Sequence, residues 1–207
     1  MPQIPPNEMA QIVGRHRNLT ASLDVQPVHV HFETQNRGEV VFVKARAHPL
    51  VNFGWVFNTA LLVFIPPIIL AAAAFFDFEI DSIFSPLAEF FLIGSFYAFV
   101  FTNAFFNFLD WYYDVYLVTN ERIINIQFDP LKRHRITEAK LIDIEFVEET
   151  TIGLFQSLFG YGDVKASTAA KTNLFIFKAV PDPAWFRDTI MDAARFLRGG
   201  RRGNDRF

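Results

Sequence analysis

Four stretches of this chain carry residue types that could do chemistry. The first is Ile152 to Val164, IGLFQSLFGYGDV, whose glycines invite comparison with a phosphate-binding loop. Such a loop presents backbone amides from a helix N-terminus, with Gly-x-Gly-x-x-Gly spacing or a Lys-Ser/Thr pair after its glycines. Here Gly160-Tyr161-Gly162 leads into an alternating, strand-like segment and has neither feature. The residues instead predict a structural corner. Gly160 and Gly162 are expected to take backbone angles that other residues avoid, with Tyr161, Phe155, Leu158 and Phe159 anchoring the corner to a core.

The second stretch is His29-x-His31, which would place two imidazoles on one strand face. Only Glu33 extends that face, so no metal site is expected. The third is the acidic run Asp143, Glu145, Glu148 and Glu149. Paired carboxylates can do acid–base work, but these fall on the outward face of a strand, where solvated acids are the ordinary reading. The fourth is Lys132-Arg133-His134-Arg135. A basic residue near an anionic leaflet is worth about 1 kcal/mol. Lys132, Arg133 and Arg135 are thus candidate anionic-lipid contacts, against the plainer reading of a solvated hairpin. There is no cysteine, hence no thiol nucleophile and no thiolate site. Nor is there a Gly-x-Ser-x-Gly elbow. The expectation is a non-enzyme with no catalytic residue, cofactor or metal.

The elements that must position these residues are dominated by two apolar runs. Of 26 phenylalanines, 15 lie between Leu50 and Asp110, and all 19 Lys and Arg residues lie outside that window. A globular core does not exclude basic residues over so long a stretch, whereas a pair of membrane spans does. The runs are predicted at about 50–76 and 86–109, each long enough for a hydrocarbon core of about 30 Å. Pro66-Pro67 predicts a kink in the first. Glu89 falls in the first turn of the second, where a helix N-terminus favours an anion. Lys44, Arg46 and His48 precede the first run, three acids and no base lie between the runs, and basic residues follow the second. The positive-inside rule then puts both termini in the cytoplasm. Trp55 and Trp111-Tyr112-Tyr113 fit an aromatic belt at that interface. No apolar leader is read at the N-terminus. Asn52 and Asn107 fall at matched depth, as do Asn58 and Asn103. One cross-helix amide pair is expected from them, worth about 0.6–2 kcal/mol; the alternative is four asparagines bonded within their own helices.

The rest of the chain reads as β structure ending in a helix. Strand patterns fall at Val28–Phe32 and Glu39–Ala45, a candidate hairpin, and at Tyr113–Val118, Arg122–Gln127, Leu141–Glu148, Asp163–Thr168 and Leu174–Lys178. Ile142, Ile144 and Phe146 are expected to face inward. Asp182-Pro183 predicts a helix start. Phe186, Ile190, Ala193 and Leu197 recur at helical spacing, and Gly199-Gly200 is the predicted stop.

VYLVTNERIINI, RITEAKLIDIEFVE and IGLFQSLFGYGDVKAST, taken together, resemble the bacterial pleckstrin-homology-like (PH-like) domain of small membrane proteins of the YdbS-like type. The shared pattern is a strand with Thr-Asn-x-Arg, a strand ending near an Ile-Asp/Glu pair, and a Gln-Ser-x-x-x-x-Gly-x-Gly corner. It covers roughly residues 114–197. Phe128-Asp129-Pro130 departs from it, where many relatives turn on a glycine. The resemblance implies a β-sandwich or barrel closed by a C-terminal helix, and brings no catalytic residues.

The chain is therefore expected to be an α+β integral membrane protein of the bacterial inner or plasma membrane. It divides into a cytoplasmic N-terminal segment (1–48), two spans (49–110), a PH-like domain (111–198) and a basic tail (199–207). Its expected role is a binding or assembly module. Its expected partners are the lipid bilayer and a protein or second copy, and not nucleic acid, given a net charge of −3. The alternative is a subunit of a membrane transport or envelope-stress complex.

Overall fold

The computed structural model describes residues 3–14, 22–27, 32, 34–78, 84–129, 133–168 and 174–204. It is mixed α+β and falls into two compact units, one made of Met1–Pro49 with Tyr112–Phe207, the other of Leu50–Trp111. The N-terminal segment thus belongs to the same unit as the later strands, a union that no local pattern announces.

In the first unit, helix α1 (Pro6–Val13) precedes strands β1 (Leu23–Val25) and β2 (Val41–Ala45). After the helical unit come β3 (Val115–Thr119), β4 (Arg122–Asp129) and β5 (Arg133–Lys140). These five strands form one antiparallel sheet in sequence order. The candidate hairpin partner of β2 read at Val28–Phe32 lies largely outside the described residues; β2 pairs instead with Leu23–Val25 and with β3. A second sheet contains β6 (Ile144–Thr150), β7 (Tyr161–Thr168) and β8 (Leu174–Pro181), with the short helix α5 (Leu154–Phe159) between β6 and β7.

The two sheets pack on a shared core of Val43, Tyr116, Val118, Ile123, Val164, Phe175 and Phe177, with the last helix, α6 (Pro183–Asn204), against them. Among the described residues, hydrogen bonds tie sheet to sheet. Asn125 Nδ2 donates to Ile176 O at 3.1 Å, and Lys178 N donates to Tyr116 Oη at 3.2 Å. Alternation along β3 and β4 sends Leu117 and Ile124 to the opposite face, where Val41 joins them in a smaller cluster.

The end of the chain follows its sequence signals at one terminus and overrides them at the other. Asp182 Oδ1 accepts from Trp185 N at 3.2 Å and caps α6 (Pro183–Asn204). Phe186, Ile190, Ala193 and Leu197 are buried in the common core, as the spacing predicts. The helix does not stop at Gly199-Gly200 but continues to Asn204. Glycine costs a helix only about 1 kcal/mol relative to alanine, and no proline follows to forbid another turn.

Phe146 also departs from expectation. Ile144 pairs with Thr168 but Phe146 pairs with Ser167, so one extra residue bulges from β6. A bulge reverses which side chains face inward beyond it. Ile144 and Val147 are therefore buried and Phe146 is 60% exposed. Ile142 lies partly buried against the core.

The second unit contains the apolar helices. A 27-residue stretch (Pro49–Phe75) and a 28-residue stretch (Pro86–Tyr113) are long and apolar enough to cross a membrane, with mean hydropathies of 2.2 and 1.5. Only 6% of each apolar window is buried within the protein, unlike the core helix of a soluble fold. The first stretch is a 3-10 turn followed by α2 (Phe53–Val63) and α3 (Ile65–Phe75), interrupted at Phe64 just ahead of Pro66-Pro67. The second is α4. Pro67 has no N–H to give the carbonyl four residues earlier, that of Val63. Tyr97 Oη on α4 donates to Val63 O at 3.1 Å and satisfies it.

The asparagines do not form the cross-helix clamp expected of them. Asn107 Nδ2 donates to Asn103 O at 2.8 Å and to Asn103 Oδ1 at 3.1 Å within one helix, and Asn52 Oδ1 accepts from Trp55 Nε1 at 3.0 Å. Neighbours three and four apart on a helix are already within reach, so local partners win. No bond to Asn58 is found among the described residues.

Candidate functional surface

The Ile152–Val164 corner is built around α5. Gly153, at φ +106°, turns the chain into the helix, and Gly160, at φ +65°, ends it in the left-handed conformation that glycine adopts without strain. Gly162 has ordinary strand geometry. It is there for space, since a Cβ would lie 2.8 Å from Thr151 Oγ1 and 2.9 Å from Thr150 O. Gln156 Oε1 turns back to accept from Ile152 N at 2.6 Å, and Gly160 O accepts from Asp182 N at 2.9 Å. The Tyr161 ring stacks on His48 with centroids 5.0 Å apart and planes 5° from parallel. Burial pushes the His48 pKa below its ordinary value.

Tyr161 is therefore the anchor the sequence predicts, but Phe155, Leu158 and Phe159 are not. Leu154 is 88% exposed, Leu158 77%, Ile152 73% and Phe155 69%, more than any other large apolar side chain described in this unit. A single turn of helix between two adjacent strands has one face toward the sheet edge. Here Gln156 is the one half-buried residue of the helix, turned back onto Ile152 N, and the large side chains are left exposed. An alternating or glycine-rich pattern carries no signal for this outcome.

A second constellation is the Thr119-Asn120-Glu121-Arg122 turn between β3 and β4. Arg122 Nε donates to Glu39 Oε1 at 2.9 Å and Arg122 Nη2 to Glu39 Oε2 at 2.8 Å, a bidentate pair in which the Glu39 side chain is wholly buried. Arg122 Nη1 also reaches Glu138 Oε2 at 2.6 Å. Thr119 Oγ1 donates to Glu39 Oε1 at 2.8 Å, and Asn36 N donates to Glu39 Oε2 at 2.9 Å. Asn120 Oδ1 accepts from Val40 N at 3.0 Å while its Nδ2 donates to Ile4 O at 3.3 Å. The guanidinium also lies over the Phe32 ring, 5.6 Å from its centroid. Burial alone would raise the Glu39 carboxyl, but the hydrogen bonds from Arg122, Asn36 and Thr119 and the charge of Arg122 hold it below its ordinary value. These groups are engaged with one another, and the node pins the N-terminal segment to the β3–β4 turn. Glu39, 83 residues from Arg122, gave no sign of this role in the sequence.

The remaining candidates separate. Lys132, His29, His31 and Glu33 lie outside the described residues. Arg133 and Arg135 are on β5, paired with Asp129 and Gln127. In the acidic run, Glu145 and Glu148 are exposed and Glu149 pairs with Arg187 Nη1 at 3.3 Å, so the carboxylates do not converge. No cluster of metal-ligating side chains occurs among the described residues. Between α3 and α4 lies an apolar cleft of about 470 Å³ whose lining includes Ile65, Ile69, Phe84, Leu92 and Phe96, with Glu89 the one ionisable group among the described residues. No family model matches this chain, and neither does any curated protein or solved structure.

Proposed function

We propose that this chain is a membrane-anchored PH-like module that works by binding or assembly and not by catalysis. The observation that carries the reading is where the apolar hairpin is inserted. It leaves the sheet after β2 and returns at β3, and these strands are neighbours, with Ala45 opposite Tyr116. Residues 46–48 and Asp114 are all that separate the paired strands from the apolar segments. A pair of spans with both ends on one side meets that closure, whereas a single crossing would part the strands. The resemblance to the YdbS-like PH-like domain is supported by two packed sheets and by a C-terminal helix whose buried stripe joins their core. The charge asymmetry of the flanks supports a cytoplasmic location for both termini.

Single-cysteine labelling tests the reading, since the chain contains no cysteine of its own. A cysteine at Asp77, between the apolar stretches, should react with an impermeant maleimide on intact spheroplasts. One at Asp192 should react only after the membrane is opened. Equal labelling at both sites, or release of the protein by alkaline carbonate, overturns the proposed topology. Co-purification from mild detergent then identifies what the module binds.

A further inference from the structure

We infer that α5 is a third membrane contact, an interfacial helix whose Leu154, Phe155, Leu158 and Phe159 side chains enter the leaflet that the spans cross. The inference rests on the membrane reading of residues 50–111, and adds to it a surface through which the β unit itself meets lipid. Three observations carry it.

The first is the character of the helix. Leu154 with Leu158, and Phe155 with Phe159, are pairs four residues apart, so they form one contiguous apolar face. Leu154 and Leu158 are as exposed as Phe75 and Phe90 on the apolar helices. No charged residue occurs between Glu149 and Asp163, and the one long polar side chain of the helix, Gln156, is turned back onto the backbone of Ile152. A segment facing water has no reason to be so stripped of charge, whereas one that enters an interface does.

The second is its place in the β unit. Tyr161, one residue beyond the cap of α5, stacks on His48, and His48 directly precedes Pro49, where the apolar stretch begins. His48 N also donates to Ala179 O at 2.7 Å, so this end of the second sheet is fastened to the strand exit. Arg46 lies over the ring of Tyr112, 5.0 Å from its centroid, where the chain returns. The corner is thus at the end of the β unit from which the chain enters the bilayer, which is why lipid is favoured over a soluble partner.

The third is its fixation. Gly160 O is held by Asp182 N, and Gly162 sits where no Cβ would fit between Thr150, Thr151 and Pro183. The corner is secured through its backbone and its tyrosine, leaving the leucines and phenylalanines outside the core.

The test uses the full chain in phosphatidylcholine–phosphatidylglycerol vesicles. Leu158→Cys, and separately Leu154→Cys, carry an environment-sensitive fluorophore, with Asp192→Cys on α6 as the reference. Both positions are exposed, so the substitutions leave the core intact. The expected result is blue-shifted emission at Leu158 and Leu154, quenched several-fold more than at Asp192 by lipids bearing a shallow nitroxide, as for a probe about 5–10 Å into the interface. Quenching no greater than at Asp192, in protein that resists carbonate extraction, overturns the inference while leaving the membrane reading intact. A blue shift without nitroxide quenching means that protein, such as a second copy, covers the helix, and also overturns it. Release by carbonate instead sinks the underlying membrane reading.

Discussion

Replacing Arg122 by alanine should be among the most damaging single changes outside the hydrophobic core. The Glu39 side chain has no solvent exposure, and its two oxygens receive Arg122 Nε at 2.9 Å and Nη2 at 2.8 Å. Truncating the arginine leaves a buried carboxylate with only Thr119 and Asn36 as donors. Breaking a buried pair on one side costs about 3–5 kcal/mol. Glu138, the other partner, is 47% exposed on its side chain, and an exposed pair of that kind contributes about 0–1 kcal/mol. Arg122→Ala should therefore lower the melting temperature of the detergent-solubilised protein by roughly 6–20 °C, at 2–4 °C per kcal/mol for a protein of this size. Glu138→Ala should lower it by no more than about 4 °C. Arg122→Lys should fall between, since an ammonium cannot reproduce the bidentate fork. Equal, small shifts for Arg122→Ala and Glu138→Ala would refute the argument, because the Glu39 carboxylate would then have to be reached by water. The sign with pH follows from the same contacts. The Glu39 pKa is held below its ordinary 4.5, so the stability it contributes is complete above about pH 4.5 and is lost as pH falls through the folded value.

Other outcomes follow from packing and titration. Phe177, with no exposure, touches Tyr116 and Phe186 edge-on, and Phe177→Ala should cost about 3–5 kcal/mol, whereas Phe146→Ala, on the outer side of the bulge, should stay within about 0.5 kcal/mol in the same denaturation assay. Gly162→Ala meets backbone at 2.9 Å and should cost about 1–3 kcal/mol. Gly160→Ala meets open space and should lose only the left-handed penalty of about 1–2 kcal/mol, a difference read by thermal melting. His48 has its pKa lowered by burial, so its contribution is complete above about pH 6.5 and declines as pH falls below that. The wild-type melting temperature should drop between about pH 7 and 5.5 more steeply than that of His48→Phe, and identical slopes would show that the stacked ring stays accessible to protons.

The sequence by itself determined the features that are local or compositional. A window without lysine or arginine, filled with phenylalanine, reads as the two apolar helices, because an unpartnered cation on such an exposed apolar helix would be too costly to keep. The α6 stripe and its Asp182 cap were legible because helical spacing and capping act within a few residues. The left-handed Gly160 was legible for the same reason. Tertiary structure decided everything that depends on what lies opposite. One extra residue in β6 put Phe146 outside and Val147 inside, and period-two alternation cannot report a bulge. The phenylalanines of the 152–162 corner read as core anchors because apolar residues usually are. Only the fold shows that they stay exposed and that Tyr161 found its partner in His48, more than a hundred positions away. The pairing of β2 with β3 across the whole apolar hairpin, and of Glu39 with Arg122 beside it, was likewise invisible. Contacts between residues so far apart in sequence are set by which strands become neighbours, and no property of either residue alone encodes that.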